Sequence, residues 1–149
     1  MRGTPYWMRR RLLRGPSGLP CTPPPFGSLV AIDLTSGSKL WDVPLGAFHR
    51  ILPPDAVARV PERWGSVNLG GPIVTAGGVV FIGAALDRWL HAFDIETGRL
   101  LWKGPLPESG KATPMSYRLA SGEQFVAIAV GGGDAFGAGD HVIAFKLRP

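Results

Sequence analysis

Beyond residue 27 the chain is a succession of short apolar runs separated by glycine-containing turns. Runs rich in β-branched and aromatic residues occur at 28–33, 39–44, 72–75, 79–83, 88–93, 99–103, 113–118, 124–130 and 141–146. Between them lie Ser36-Gly37, Gly77-Gly78, Thr97-Gly98, Ser121-Gly122 and Gly137-Ala138-Gly139. Runs of this length with turn signals at both ends predict strands. The stretch 47–66 carries Pro53-Pro54 and Pro61 and predicts an insertion with one short helical turn at most. No other segment repeats its apolar residues at helical spacing. Some strands are apolar at every position. Val79-Val80-Phe81-Ile82 and Phe125-Val126-Ala127-Ile128-Ala129-Val130 are examples. A strand of that kind must be covered on both faces.

One phrase occurs twice. Ala31-Ile32-Asp33-Leu34-Thr35-Ser36-Gly37-Ser38-Lys39-Leu40-Trp41 returns as Ala92-Phe93-Asp94-Ile95-Glu96-Thr97-Gly98-Arg99-Leu100-Leu101-Trp102, offset by 61 residues. Self-similarity at a fixed offset marks a stacked repeat. Each copy predicts a β-hairpin. Asp33 and Asp94 bond the turn backbone, and Gly37 and Gly98 supply a left-handed position. Trp41 and Trp102 are flat apolar plates that fit between layers, and they are expected to be buried, equivalent docking residues. Residues that recur once per repeat serve architecture, so Asp33 and Asp94 are read as structural. The strands group in fours: 72–103 makes one complete unit, 28–44 the outer half of the unit before it, and 113–146 three strands of the unit after. The predicted class is all-β: about two blades of a β-propeller, in which each blade is sandwiched between neighbours. Propellers close with about four to eight blades, so the ring is incomplete.

Composition agrees with many strands and turns: 21 glycines and 15 prolines stand beside 45% apolar residues in 149 positions. Residues 1–27 form a separate irregular segment rich in proline and arginine, with 28–149 as the blades. The segment holds Arg2, Arg9, Arg10, Arg11 and Arg14 and no acidic residue, whereas the rest of the chain is nearly balanced. Leu12-Leu13 is too short for the apolar core of a secretory signal. No run is long and apolar enough for a membrane-spanning helix. Binding of nucleic acid would call for further basic residues interleaved with exposed aromatics, and a surface loop is the expectation. Cys21 is the single cysteine and fixes no redox compartment.

A set of longer phrases resembles one family. Gly3-Thr4-Pro5-Tyr6, Pro20-Cys21 with Pro24-Pro25, Trp41 with Pro44-Leu45-Gly46, and Asn68-Leu69-Gly70-Gly71-Pro72 carry the likeness. Thr75-Ala76-Gly77-Gly78, Val80-Phe81-Ile82-Gly83, Asp87, Ala112-Thr113-Pro114-Met115-Ser116-Tyr117, Gly131-Gly132 and Gly139-Asp140 continue it. From Gly3 to Leu147 the sequence resembles the C-terminal part of membrane-bound quinoprotein glucose dehydrogenases, which use pyrroloquinoline quinone (PQQ). The hairpin phrase is common to many PQQ-type propellers; the block after Asn68 and the Ala-Thr-Pro-Met phrase are more specific. The resemblance implies an eight-bladed propeller that oxidises an aldose to its lactone. It implies PQQ held with a divalent metal, calcium or magnesium, and electrons passed to ubiquinone. It implies a place on the periplasmic side of the inner membrane. The family's proton-abstracting Asp, quinone-contacting Lys, stacking Trp and most metal contacts lie upstream, so no catalytic residue and no metal ligand is expected here. Asn68 and Leu69 fall where the family's chain passes the cofactor, and Asp87 aligns with a position near the site. The family often has His after the Gly-Gly of its last blade; here that position is Gly133, followed by a shorter loop.

Each of these residues has a plainer reading. Asn68 offers two donors and an acceptor to a cofactor, or caps its own loop. Asp87 contacts cofactor or metal, or is a turn residue before the strand at 88. His49, His91 and His141 lack metal spacing, and His91, alternating with Trp89 and Phe93, reads as packed. Gly131-Gly132-Gly133-Asp134 is a single copy of a pattern that binds calcium only in tandem. The expected partner is the missing set of upstream blades. Met1 falls inside the family's pattern, which points to a truncated or split reading frame. The isolated chain is expected to be inactive and not to bind PQQ tightly. The alternatives are a non-catalytic propeller scaffold and one half of a split quinoprotein.

Overall fold

The computed structural model describes residues 2–9, 13–48, 52, 54–132 and 138–147. His49, Arg10, Arg11, Leu12, Gly133, Asp134 and Gly137 lie outside the described residues. Among the described residues nine strands appear in chain order: β1 (Ser28–Ile32), β2 (Lys39–Pro44), β3 (Ile73–Val74), β4 (Val79–Ile82), β5 (Trp89–Asp94), β6 (Leu100–Pro105), β7 (Met115–Arg118), β8 (Gln124–Gly131) and β9 (Asp140–Lys146). Each falls within two residues of a run seen in the sequence. The proline-rich insertion holds α1 (Pro54–Val57) and a 3-10 turn at Glu62–Trp64.

The strands form three antiparallel sheets of two, four and three strands, each paired only with its sequence neighbours. In order they are β1-β2, β3-β4-β5-β6 and β7-β8-β9. Up-and-down order places the described parts of the links 45–72, 83–88, 106–114 and 132–139 at one end of the sheets. The hairpin turns lie at the other end.

Two cores lie between the three sheets. Leu45, Val80, Ile82, Ala84, Ala85 and Phe93 fill the first interface, against Leu29, Val43 and Ile95. Leu90, Leu106, Val126, Ile128 and Val130 fill the second, against Phe81, Ile143 and Phe145. The middle sheet is therefore covered on both faces, as its two-sided apolar strands require. Leu90 and Ala92 face one neighbour while His91 and Phe93 face the other.

The two hairpin copies are superposable in their bonds. Asp33 accepts from the Thr35 and Ser36 amides at 2.7 and 3.4 Å; Asp94 accepts from the Glu96 and Thr97 amides at 3.1 and 2.9 Å. The Gly37 and Gly98 amides donate to the carbonyls of Asp33 and Asp94. Gly37 has φ +70° and Gly98 +68°. The ladders even slip at the same place, between Ala31 and Ile32 and between Ala92 and Phe93.

These carboxylates also titrate low. The Thr97 hydroxyl, then the Thr97 and Glu96 amides, hold Asp94 below the usual carboxylate range, and the Thr35 amide chiefly does so for Asp33. The folded pKa lies below the unfolded one, so the stabilisation is complete above the unfolded value and fades as pH falls through the folded one. Asp94→Ala is expected to lower the urea midpoint at neutral pH and to lose that effect progressively below about pH 4. A loss that persists undiminished in acid would contradict this origin.

Trp41 and Trp102 dock alike but are not equally covered. Trp41, half-buried, donates its indole N–H to the Ile95 carbonyl of the next sheet at 2.8 Å. Its ring lies over Gly98, where an added Cβ would come within 2.7 Å of the ring carbons. Trp102 meets Phe145 of the third sheet edge-on, with centroids 5.0 Å apart, yet it is 40% exposed. The expectation of two buried indoles is thus corrected at both, since Trp41 is half-buried and Trp102 is exposed. The pairing registers make Phe145 the counterpart of Phe93. Trp41→Ala is expected to cost about 3 kcal/mol of stability, and Trp102→Ala distinctly less, read as urea midpoints. Equal losses would contradict the unequal docking. Gly98→Ala should be costlier than Gly37→Ala, because a Cβ at Gly37 meets nothing within 4 Å.

Candidate functional site

The links at one end of the sheets are knitted into a rim. The Leu69 amide donates to the Ala84 carbonyl at 2.7 Å, and the Ala84 amide donates to the Gly110 carbonyl at 2.6 Å. One residue of the middle sheet's loop thus ties the loop before it to the loop after it. A Cβ at Gly70 would come within 2.7 Å of the Lys111 carbonyl and one at Gly83 within 2.5 Å of the Gly110 carbonyl, so the backbones approach more closely than any side chain allows. Ala84 is fully buried at φ +50°, and Arg88 sits at φ +61°. Left-handed non-glycine residues are held only where the surroundings over-determine them. The Ser66 hydroxyl accepts from the Leu86 amide at 3.3 Å, and the Arg88 guanidinium pairs with Glu108 at 2.7 Å.

Asn68, Leu69 and Asp87 all belong to this rim. Asn68 lies against Gly27, at the start of the first sheet; a Cβ there would come within 2.7 Å of the amide nitrogen. Its Oδ1 is buried and takes no hydrogen bond among the described residues. A buried acceptor without a donor is costly and marks a position where a partner group is missing. Leu69 is 40% exposed beside it. Asp87 is on the adjoining loop but is buried, and its carboxylate is engaged. Oδ1 accepts from the Trp89 amide at 3.3 Å, and Oδ2 lies 3.1 Å from His91 Nε2. His91 is buried too and stacks on Phe93 at 5.9 Å.

The reading of His91 as packed holds, but its pairing with Asp87 was missed. Asp-x-x-x-His across a loop-to-strand junction is the signal that could have found it. Among the described residues no group of three or more His, Cys, Asp and Glu is placed to hold a metal ion. No helix among them is long and apolar enough to cross a membrane.

Residues 1–126 match the glucose/ethanol/alcohol dehydrogenase β-propeller domain of PQQ proteins. The chain belongs to this family. It is 38% identical over 99% of its length to the quinate/shikimate dehydrogenase (quinone) of Acinetobacter baylyi. It is 40% identical over 97% to the quinoprotein glucose dehydrogenase of Escherichia coli. The glycerol dehydrogenase large subunit of Gluconobacter oxydans is 43% identical over 87% of the chain. The chain spans 18%, 18% and 17% of those proteins. Among solved structures, the quinohemoprotein alcohol dehydrogenase of Comamonas testosteroni superposes with a TM-score of 0.61 over 88% of this chain, at 28% identity, and this is 18% of that chain. The three sheets are therefore an arc of a PQQ-type propeller: one complete blade and parts of its two neighbours. This incomplete ring is what the repeat and the two-sided strands implied.

The cofactor the family implies can be tested against the residues present. One buried, donorless acceptor on a rim of close backbones suits the edge of a hydrogen-bonding ligand. A metal ion finds no set of ligands among the described residues.

Proposed function

We propose that this chain is the C-terminal wall of a PQQ-dependent dehydrogenase that oxidises glucose or a related aldose to its lactone. PQQ, when bound with calcium or magnesium, supplies the redox chemistry by accepting two electrons from the sugar carbon. This chain's part is to bind and position. Asn68 presents Oδ1 to a donor on the cofactor, and Leu69 covers the cofactor's edge. Asp87 serves the same site through its loop, which it locks against β5 by way of the Trp89 amide and His91. The seam through Leu69, Ala84 and Gly110 fixes the height of all three. Electrons leave for ubiquinone, and the complete enzyme works on the periplasmic side of the inner membrane. The upstream blades are the obligatory partner, since they carry the base and the metal. The observation that carries this reading is the orphaned Asn68 acceptor on a strained, closely packed rim.

Grafting supplies the test. The matching C-terminal segment of the E. coli quinoprotein glucose dehydrogenase is replaced by this chain, and PQQ retention is measured by absorbance after gel filtration. The hybrid is expected to retain PQQ, and Asn68→Ala to weaken retention about tenfold, the worth of one well-placed hydrogen bond. Retention unaffected by Asn68→Ala would remove Asn68 from the cofactor site.

A further inference from the structure

A cavity of about 340 Å³ lies between the first and middle sheets, and neither Asn68 nor Leu69 lines it. That size is at the small end of ligand pockets. Its floor is two cross-strand pairs on one face of the middle sheet. His91 stands opposite Lys103, and Phe93 opposite Leu100. Directly opposed residues project to the same side, and all four line the cavity. The floor is therefore polar at one end and apolar at the other. Val43 and Pro44 of β2 line the cavity from the first sheet, and Arg63 of the 3-10 turn joins them. The repeat equates β1 with β5 and β2 with β6. Strands completing the first sheet would pair with β1, not with β2, so both walls of this cavity are present.

The polar end is short of partners. Among the described residues Arg63 and Lys103 take part in no ion pair. Glu62 also lines the cavity, while the carboxylate of Asp87 is engaged by the Trp89 amide and His91 Nε2. One available carboxylate of the lining thus stands against two cations. His91 is 3% exposed, and its Nδ1 is buried with no hydrogen bond among the described residues. In the neutral ring the proton sits on Nε2, toward Asp87, so Nδ1 is an acceptor without a donor. Such an atom is costly to bury and marks a position where a partner group is missing. We propose that this cavity binds a small α-hydroxy acid with an apolar body. Its carboxylate lies between Lys103 and Arg63, whose guanidinium grips a carboxylate by two parallel bonds. Its hydroxyl donates to His91 Nδ1, next to the carboxylate because His91 and Lys103 stand directly opposite each other. Its apolar body rests on Phe93 and Leu100, against Val43 and Pro44. The proposal does not depend on the dehydrogenase reading, since Asn68 and Leu69 take no part in the cavity.

Mandelate, an α-hydroxy acid on a phenyl ring, is the probe. Equilibrium dialysis measures its retention by the full chain and works whether or not the chain self-associates. Retention is expected to saturate near one mandelate per chain. Phenylacetate lacks the hydroxyl and styrene glycol lacks the carboxylate, and each should bind about tenfold more weakly, the worth of one well-placed hydrogen bond. Arg63→Ala and Lys103→Ala should each weaken mandelate by at least about tenfold, since hydrogen bonds between charged groups are the stronger kind. Both residues are exposed, so neither change should disturb folding, and far-ultraviolet circular dichroism matching the parent checks this. Leu100→Glu, at the apolar end, should abolish retention. Retention that never saturates, or that both alanine variants leave unchanged, overturns the proposal. So does equal binding of phenylacetate, which would leave His91 without a role. Displacement of mandelate by an equal concentration of inorganic phosphate overturns it too, because charge alone would then be recognised.

Discussion

An isolated preparation of this chain is expected to reduce no dye above a protein-free blank when supplied with PQQ, calcium and glucose. On the proposed reading, this chain would offer the cofactor one amide acceptor at Asn68 and an apolar edge at Leu69. Asp87 is buried and committed to Trp89 and His91, so it is poorly placed to take a proton from a substrate. Removing a general base alone costs about 10²–10⁴ in rate. On the proposed reading the metal and the opposite wall of the cofactor site would be absent as well, which would compound that loss, because positioning and electrostatics are what a protein contributes to cofactor chemistry. Dye reduction clearly above the blank, dependent on PQQ, would contradict this. Quinate and glycerol belong in the same assay, since relatives named for those substrates are as similar as the one named for glucose.

The second large effect expected is self-association. The middle sheet is covered on both faces, but the outer two are not. Val30, Ile32 and Leu40 of the first sheet are 40%, 54% and 61% exposed, and Val142 of β9 is 75% exposed. A groove of about 530 Å³ lined by Leu101, Trp102, Phe145 and Leu147 lies open beside β9. Among the described residues the outer edge of β9 has no partner strand, whereas the corresponding edge of β5 is closed by β6. Unpaired edges next to apolar faces template association with other chains. Repeat units also depend on their neighbours for stability. Light scattering should therefore show oligomers or aggregates, and co-expression with upstream blades should reduce them. A monodisperse monomer with a sharp, reversible melt would mean that these sheets close on themselves.

The sequence made the architecture legible because propeller blades are local. Every strand pairs with its neighbour in the chain, so turn signals and apolar runs are enough to draw the ladders. The repeated phrase marked both hairpins, and the two copies share even the slip in register after Ala31 and Ala92, which was not foreseen. Trp102 shows the limit of that reasoning. It holds the same place in the repeated phrase as Trp41, but its coverage depends on what the following sheet provides, and a repeat phrase does not contain its neighbour. The rim was legible only as Asn68, Leu69 and Asp87. That Ala84 joins two loops through its own amide and carbonyl could not be seen, because backbone bonds between loops leave no mark on residue type. The glycines at 70 and 83 were visible, but the carbonyls they make room for, at Lys111 and Gly110, were not. Asp87 and His91 were each noticed and read apart, since nothing in periodicity says that a loop carboxylate turns back onto its own strand.

Turnover by the hybrid ring tests the central claim most directly. Grafted in place of the matching segment of the E. coli quinoprotein glucose dehydrogenase, this chain is expected to restore PQQ-dependent dye reduction with glucose, which the truncated relative alone lacks. A hybrid that folds like its parent and is purified intact, yet neither retains PQQ nor turns over sugar, would contradict the account.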